Sequence, residues 1–245
     1  MDKKLLLGQE IIRLLNQAKD RINEIVSHHP TPKIQIKDDG SPVTTLDIEL
    51  SAFVENLLQS HSSNEVTFYS EENYSTISFP LLALDPLDGT REYINGNDEW
   101  ALSVGIFEDK NFQGEGWIYN PKTEELFNHA EERKHKIKEI YCGEVSHSEW
   151  EKGLFTNKDQ TRFKLKPIGS IAYKLARLSG GECDFVVSLR PKSIWDIAGG
   201  TNLIQQAGMH FYSEGKKVTE VKELYLPPLI WCHEEIFSEL SKIYS

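Results

Sequence analysis

The run Leu81-Leu82-Ala83-Leu84-Asp85-Pro86-Leu87-Asp88-Gly89-Thr90 passes directly from apolar residues to a pair of carboxylates. A short apolar run bounded by turn residues reads as a strand buried on both faces. Two carboxylates three apart, with a proline between them and a glycine after them, can turn toward one point. The Leu87 carbonyl is then available as a further oxygen, and several hard oxygens at once are what Mg²⁺ requires. Gly89 and Thr90 begin a helix, whose free N–H groups can receive a phosphate. Taken alone, the same residues are explained as well by an Asp-Gly turn at a strand end.

Three more acidic positions sit at the ends of expected elements. Asp47 opens a helix, where it or Thr44 and Thr45 can act as caps. Glu71-Glu72 follows a strand over 66–69, and strand ends inside a sheet are where ligands gather. Asp196, after Trp195, lies in the first turn of a late helix, a position that the helix dipole favours without any metal. Each has an ordinary explanation singly. Four such clusters at element ends in one chain do not.

Around these positions the pattern alternates between helices and strands. Leu7, Ile11, Leu15, Ala18, Ile22 and Ile25 recur every three or four residues and mark one long amphipathic helix. Ile34–Ile36 is a strand leading to the turn Asp38 to Pro42, and Leu50, Phe53, Val54, Leu57 and Leu58 mark a second helix. Strands are expected at 66–69, 81–84, 101–107, 116–119 and 125–128. The charged stretch Ala130 to Lys138 reads as a solvated connector, which divides the chain into an N-terminal α+β part, 1–140, and a C-terminal α/β part, 141–245. In the second part a helix is expected at 171–178, a strand at 184–189 and a helix at 195–207, followed by short strands. Helices flanking sheets in both parts predict a layered α+β or α/β sandwich.

The chain has 245 residues, enough for one large domain or two small ones at ~150 residues each. Lys and Arg number 27 against 38 Asp and Glu, a net charge of −11. Such a surface repels phosphate backbones, so nucleic-acid polymers and anionic membranes are not the expected partners. The short apolar run Leu5 to Leu7 is neither a signal peptide nor a membrane span. Cys142, Cys183 and Cys232 form no CxxC, which suits three buried thiols in a reducing cytoplasm. His28-His29 ends a helix in solvent, and Trp100, Trp117 and Trp150 read as core or interface aromatics.

Glu71-Glu72, Asp85-Pro86-Leu87-Asp88-Gly89-Thr90 and Trp195-Asp196-Ile197-Ala198-Gly199 together resemble the inositol monophosphatase superfamily, as does Pro42-Val43-Thr44-Thr45-Leu46-Asp47. The resemblance runs from about Ser41 to Gly208, and the segment between Glu72 and Asp85 is shorter than is common in that family. It implies a layered αβαβα fold, a homodimer and a lithium-sensitive phosphatase using two to three Mg²⁺ ions. It implies that Glu71, Asp85 and the Leu87 carbonyl hold a first ion, that Asp85, Asp88 and Asp196 hold a second, and that a third leans on Glu71. Gly89 and Thr90 would hold the phosphate, and Asp47 would pair with the Thr90 hydroxyl to orient a metal-activated water for in-line attack.

The sequence Thr90-Arg91-Glu92-Tyr93, with Gly169-Ser170-Ile171-Ala172-Tyr173-Lys174 and Ser188-Leu189-Arg190-Pro191-Lys192, most resembles the bacterial 3′(2′),5′-bisphosphate nucleotidase branch. That implies the 3′-phosphate of adenosine 3′,5′-bisphosphate as the bond cleaved. Ser170, Lys174, Arg190 and Lys192 are candidates for holding substrate, the cations taking a second phosphate, although ordinary surface charge explains them about equally well. Tyr173 stands where those nucleotidases carry a lysine. Leu189 stands where inositol monophosphatases place an acidic residue, and it cannot accept hydrogen bonds from inositol hydroxyls. Inositol 1-phosphate or a sugar phosphate is the alternative substrate. A catalytically silent phosphate-binding module is the alternative of another class.

Overall fold

The computed structural model describes residues 3–29, 31–37, 40–61, 67–70, 76–156, 158 and 161–244. In chain order its first elements are α1 (Lys3–His28), β1 (Ile34–Ile36), β2 (Pro42–Thr44), α2 (Thr45–His61), β3 (Thr67–Ser70), β4 (Leu81–Asp88) and α3 (Thr90–Ile94). Then come β5 (Ala101–Phe107), β6 (Gly114–Asn120), β7 (Glu125–Phe127), β8 (Tyr141–Val145), α4 (His147–Glu151) and β9 (Phe163–Pro167). The remainder is α5 (Ile171–Gly180), β10 (Phe185–Ser188), β11 (Lys192–Ser193), α6 (Ile194–Gln206), β12 (His210–Ser213), β13 (Lys216–Lys217), β14 (Tyr225–Leu226), β15 (Leu229–Cys232) and α7 (Glu234–Tyr244).

Side-chain alternation along β4 decides the layering. Leu82 and Leu84 enter a core with Ile11, Leu15 and Ile22 of α1 and with Leu46, Leu50 and Val54 of α2. Leu81 and Ala83, on the opposite face, meet α5 and α6 through Leu175, Ile197 and Ala198. The same core continues through Val186, Phe211 and Trp231 of a second sheet. On that sheet's far side Phe185, Val187, Ile230 and Cys232 pack on Ile236, Leu240 and Tyr244 of α7. The five layers are therefore helices, sheet, helices, sheet, helix: an α/β layered sandwich. Pairing runs β3-β4-β5-β6-β7 in the first sheet and β13-β12-β15-β10-β8-β9 in the second. Both sheets are mixed: β3–β4, β8–β9 and β8–β10 are parallel, the other pairs antiparallel.

Helix α6 comes unusually close to the first sheet. Gly105 and Gly116 are direct partners across β5 and β6, and a Cβ on Gly116 would lie 2.0 Å from the Gly199 carbonyl oxygen. No side chain fits between them, and α6 is accordingly buried on nearly all sides.

Several expectations need correction. Strand β4 does not stop at Leu84. It pairs onward to Asp88, with a register break between Asp85 and Asp88 where Pro86 sits, because a bulge accommodates a residue that cannot donate to the ladder. Strands β8 and β9 and helix α4 lie between residues 141 and 167, where no element was expected, and helix α7 forms where short terminal strands were expected. Cys142 is exposed, on the solvent side of β8, whereas Cys183 and Cys232 are buried. Trp150 is partly exposed, unlike Trp100 and Trp117. Among the described residues no helix is long and apolar enough to cross a membrane.

Candidate active site

The strand end of β4 and the N-terminal ends of α3, α5 and α6 open on one cavity of about 500 Å³. Asp85, Leu87, Asp88, Gly89, Thr90, Ser170, Lys174 and Asp196 all line it. Asp47 stands one hydrogen bond behind: its Oδ1 accepts from the Thr90 hydroxyl at 2.9 Å. Its Oδ2 accepts from the Thr44 amide at 2.7 Å and the Thr44 hydroxyl at 2.6 Å. The Asp47 N–H donates back to the Thr44 hydroxyl at 3.4 Å, a capping box at the head of α2. Burial raises the Asp47 carboxyl above its ordinary range, against the lowering effect of the Thr44 and Thr90 hydrogen bonds.

Asp196 repeats this device on α6: its Oδ2 accepts from the Ser193 amide at 3.0 Å, closing a second capping box. Asp88 is held by the head of α5. Its Oδ2 accepts from the Ser170 hydroxyl at 2.5 Å and from the Ala172 amide at 2.6 Å. Ser170 has a φ of 49°, a left-handed conformation that a non-glycine residue adopts only when its surroundings compel it. Part of that compulsion comes from below. The Lys174 ammonium, 1% exposed, donates to the carbonyls of Ile168, Gly169 and Ser170 at 2.9, 3.2 and 2.9 Å. Burial lowers its pKa to about 8. Asp85 is also buried, one of its oxygens accepting from the Leu87 amide at 3.0 Å.

The oxygen-only donor set of Asp85, Asp88, Asp196 and the Leu87 carbonyl suits a hard divalent cation in its chemistry. Among the described residues, no three His, Cys, Asp or Glu side chains draw close enough to hold a metal ion between them. Glu71 and Glu72, expected at this site, lie outside the described residues.

Arg190 does not reach the cavity; it is exposed, and its carbonyl accepts from Ser188. Leu189 lines a different, largely apolar hollow beside Tyr212 and Phe237. Tyr173 points away, its hydroxyl donating to Glu125 Oε2 at 3.2 Å. Lys192 does line the cavity, together with Arg91 and Glu92 of the motif after Thr90 and with Lys37 and Tyr225, which no motif singles out. Burial raises the Glu92 carboxyl. Tyr225 is 50% exposed and meets Trp195 edge to face at 5.8 Å. No local sequence pattern marks it; the pairing of β11 with β14 sets it opposite Ser193. Glu99 supports the site from outside, with one oxygen accepting from the Gly169 amide at 2.6 Å and lying 2.8 Å from His147 Nε2.

A model described as the inositol monophosphatase family matches residues 8–228. Inositol monophosphatase 3 of Solanum lycopersicum is 25% identical over 228 residues, covering 82% of this chain and 84% of its own length. The 3′(2′),5′-bisphosphate nucleotidase CysQ of Salmonella typhimurium is 25% identical over 243 residues, covering 90% and 96%. The crystal structure of an IMPase/NADP phosphatase complexed with NADP and Ca²⁺ superposes with a TM-score of 0.80 at 16% identity, over 99% of this chain and 96% of that one.

Proposed function

Because the chain belongs to the inositol monophosphatase family, whose relatives named above are phosphatases, we propose that it is a metal-dependent phosphomonoesterase whose substrate is a nucleotide carrying two phosphates. Adenosine 3′,5′-bisphosphate is the leading candidate, with its 3′-phosphate cleaved. The observation that carries this reading is the meeting of Asp85, Asp88, Asp196 and the Leu87 carbonyl with the Gly89-Thr90 turn in one cavity.

Asp85, Asp88, Asp196, the Leu87 carbonyl and Glu71 would hold two to three Mg²⁺ ions. When bound, these supply positive charge that neutralises the phosphoryl oxygens and acidifies water. The chain's own groups do the remaining work. The N–H groups of the Gly89-Thr90 turn orient the phosphoryl group. The Thr90 hydroxyl, its proton directed to Asp47 Oδ1, turns a lone pair toward the cavity, where it can accept from the attacking water. Asp47 can then receive the proton through that hydroxyl. Ser170 and Ala172 fix the direction of the Asp88 carboxylate, and the three-carbonyl grip of Lys174 keeps the Ser170 turn in place.

Two features favour a nucleotide over a polyol phosphate. Lys37, Arg91 and Lys192 supply cations at the cavity wall for a second phosphate, and Tyr225 offers a half-exposed ring where a base can stack. We further propose a homodimer working in the cytoplasm, with the chain dividing functionally near residue 140.

The test is side-by-side phosphate release from adenosine 3′,5′-bisphosphate and inositol 1-phosphate, with Mg²⁺ and with excess chelator. Turnover should require Mg²⁺, favour the nucleotide and vanish in Asp88→Asn. Equal or faster release from inositol 1-phosphate overturns the substrate assignment. Silence across a broad ester panel favours a binding module.

A further inference from the structure

A second charged hollow lies at the opposite ends of α5 and α6. Residues 130–138 have no regular structure, yet they are pinned to those helices. The Ala130 amide donates to Gln206 Oε1 at 3.0 Å, and the Arg133 amide donates to the Ala207 carbonyl at 3.0 Å. Arg133 Nη1 reaches the Leu178 carbonyl at 3.2 Å, with the guanidinium packed over Gly181. His135 stacks on the Tyr141 ring, with Nε2 3.0 Å from the hydroxyl. The stretch therefore covers the C-terminal carbonyls of the two helices whose N-terminal ends carry Ser170 and Asp196. Thirteen residues of α6 span about 20 Å at 1.5 Å each, so the two hollows are separate.

This hollow encloses about 370 Å³, and Arg133, Lys134, His135, Lys136, Lys138 and His233 line it. Lys138 is paired with Asp184 at 2.5 Å. Arg133, Lys134 and Lys136 make no ion pair among the described residues. Burial lowers the His233 imidazolium; Glu235 opposes this, and His135, Arg133 and His210 add smaller lowering effects. In a chain with a net charge of −11, uncompensated cations facing one concavity repel each other and are relieved by an anion. Guanidinium, ammonium and imidazole donors suit the several acceptor oxygens of a phosphate group.

We propose that this hollow binds a small multivalent oxyanion, orthophosphate or a phosphate monoester, at a site distinct from the catalytic cavity. The test follows the imidazole NMR signals of His135 and His233 in the full chain as sodium phosphate, adenosine 5′-phosphate or adenosine is added at constant ionic strength. Saturable shifts with phosphate and the nucleotide alike support recognition of the phosphoryl group alone. Shifts with the nucleotide only support an ester as ligand. Lys134→Glu/Lys136→Glu, with its thermal unfolding and near-UV circular dichroism unchanged, should weaken binding about tenfold or more. Asp88→Asn should leave the shifts intact. Shifts no larger than NaCl gives, equal affinity in the double variant, or loss of the signal in Asp88→Asn each overturn the proposal. None of these readouts depends on phosphatase activity, so its failure is separate from that of the function proposed above.

Discussion

Replacing Gly116 with alanine tests whether the closeness of α6 to the sheet is what sets Asp196. The added Cβ would sit 2.0 Å from the Gly199 oxygen, where ordinary contact begins at 3.4 Å. Strand or helix must withdraw by about 1.4 Å, and both are backbone, with no flexible side chain to give way. Overpacking of this kind costs about 1–3 kcal/mol. At ~2–4 °C per kcal/mol for a chain this long, 2 kcal/mol lowers Tm by about 4–8 °C. Asp196 lies one helical turn before Gly199, so a shift of even ~1 Å at the chemistry lowers turnover by about 100-fold. Thermal unfolding followed by circular dichroism, beside kcat for phosphate release, measures both effects. Gly180→Ala is the control: its Cβ would meet only Phe127 at 3.9 Å, so Tm should stay within ~2 °C of wild type. If Gly116→Ala matches that control in both Tm and kcat, the close approach does not position the helix.

Three other outcomes follow from the same contacts. Lys174 has its pKa lowered to about 8 by burial, against ~10.4 unfolded, so in that window the unfolded state binds the proton that the native state sheds. Stability relative to Lys174→Met should therefore rise with pH, by about 1.6 kcal/mol between pH 8 and 9.5. Urea unfolding of both proteins at the two pH values checks it, and a constant difference refutes it. Asp47→Asn should lower kcat by ~10²–10⁴-fold. It should also remove an acidic limb of kcat/KM lying above the ordinary ~3.9 of a carboxylate, since burial raises Asp47 and activity falls as it takes up a proton. Tyr225→Ala should raise KM for adenosine 3′,5′-bisphosphate by roughly 5–100-fold, the worth of one stacked base. Its KM for inositol 1-phosphate should not move, and an equal effect on both would place Tyr225 in general support of the wall.

Much of this molecule is readable from local chemistry. A helix announces itself through a 3.6-residue apolar period, and both α1 and α2 carry one. A buried strand announces itself through a short apolar run, and β4, β5 and β6 do so. The motif at Asp85 to Thr90 is legible because proline, glycine and carboxylates each restrict what the backbone there can do. Helix α7 had its signal as well, since Ile236, Phe237, Leu240 and Ile243 recur at helical spacing. Strands β8 and β9 had less: Tyr141, Gly143 and Val145 alternate weakly, and their burial comes from neighbours far along the chain.

The sequence by itself determined which residues carry charge and oxygen, which segments are amphipathic and how the chain alternates between helix and strand. Each of those properties is fixed within a few neighbouring residues. Tertiary structure alone decided that Lys174, at the cavity wall, grips three backbone carbonyls, that Arg190 stays outside the cavity and that Tyr225 enters its wall. It also decided that residues 130–138, read as a solvated connector, fold over the ends of α5 and α6. The same side chain is a ligand or a brace according to which distant backbone comes within hydrogen-bonding reach, and that is a property of packed layers that no local stretch of sequence contains.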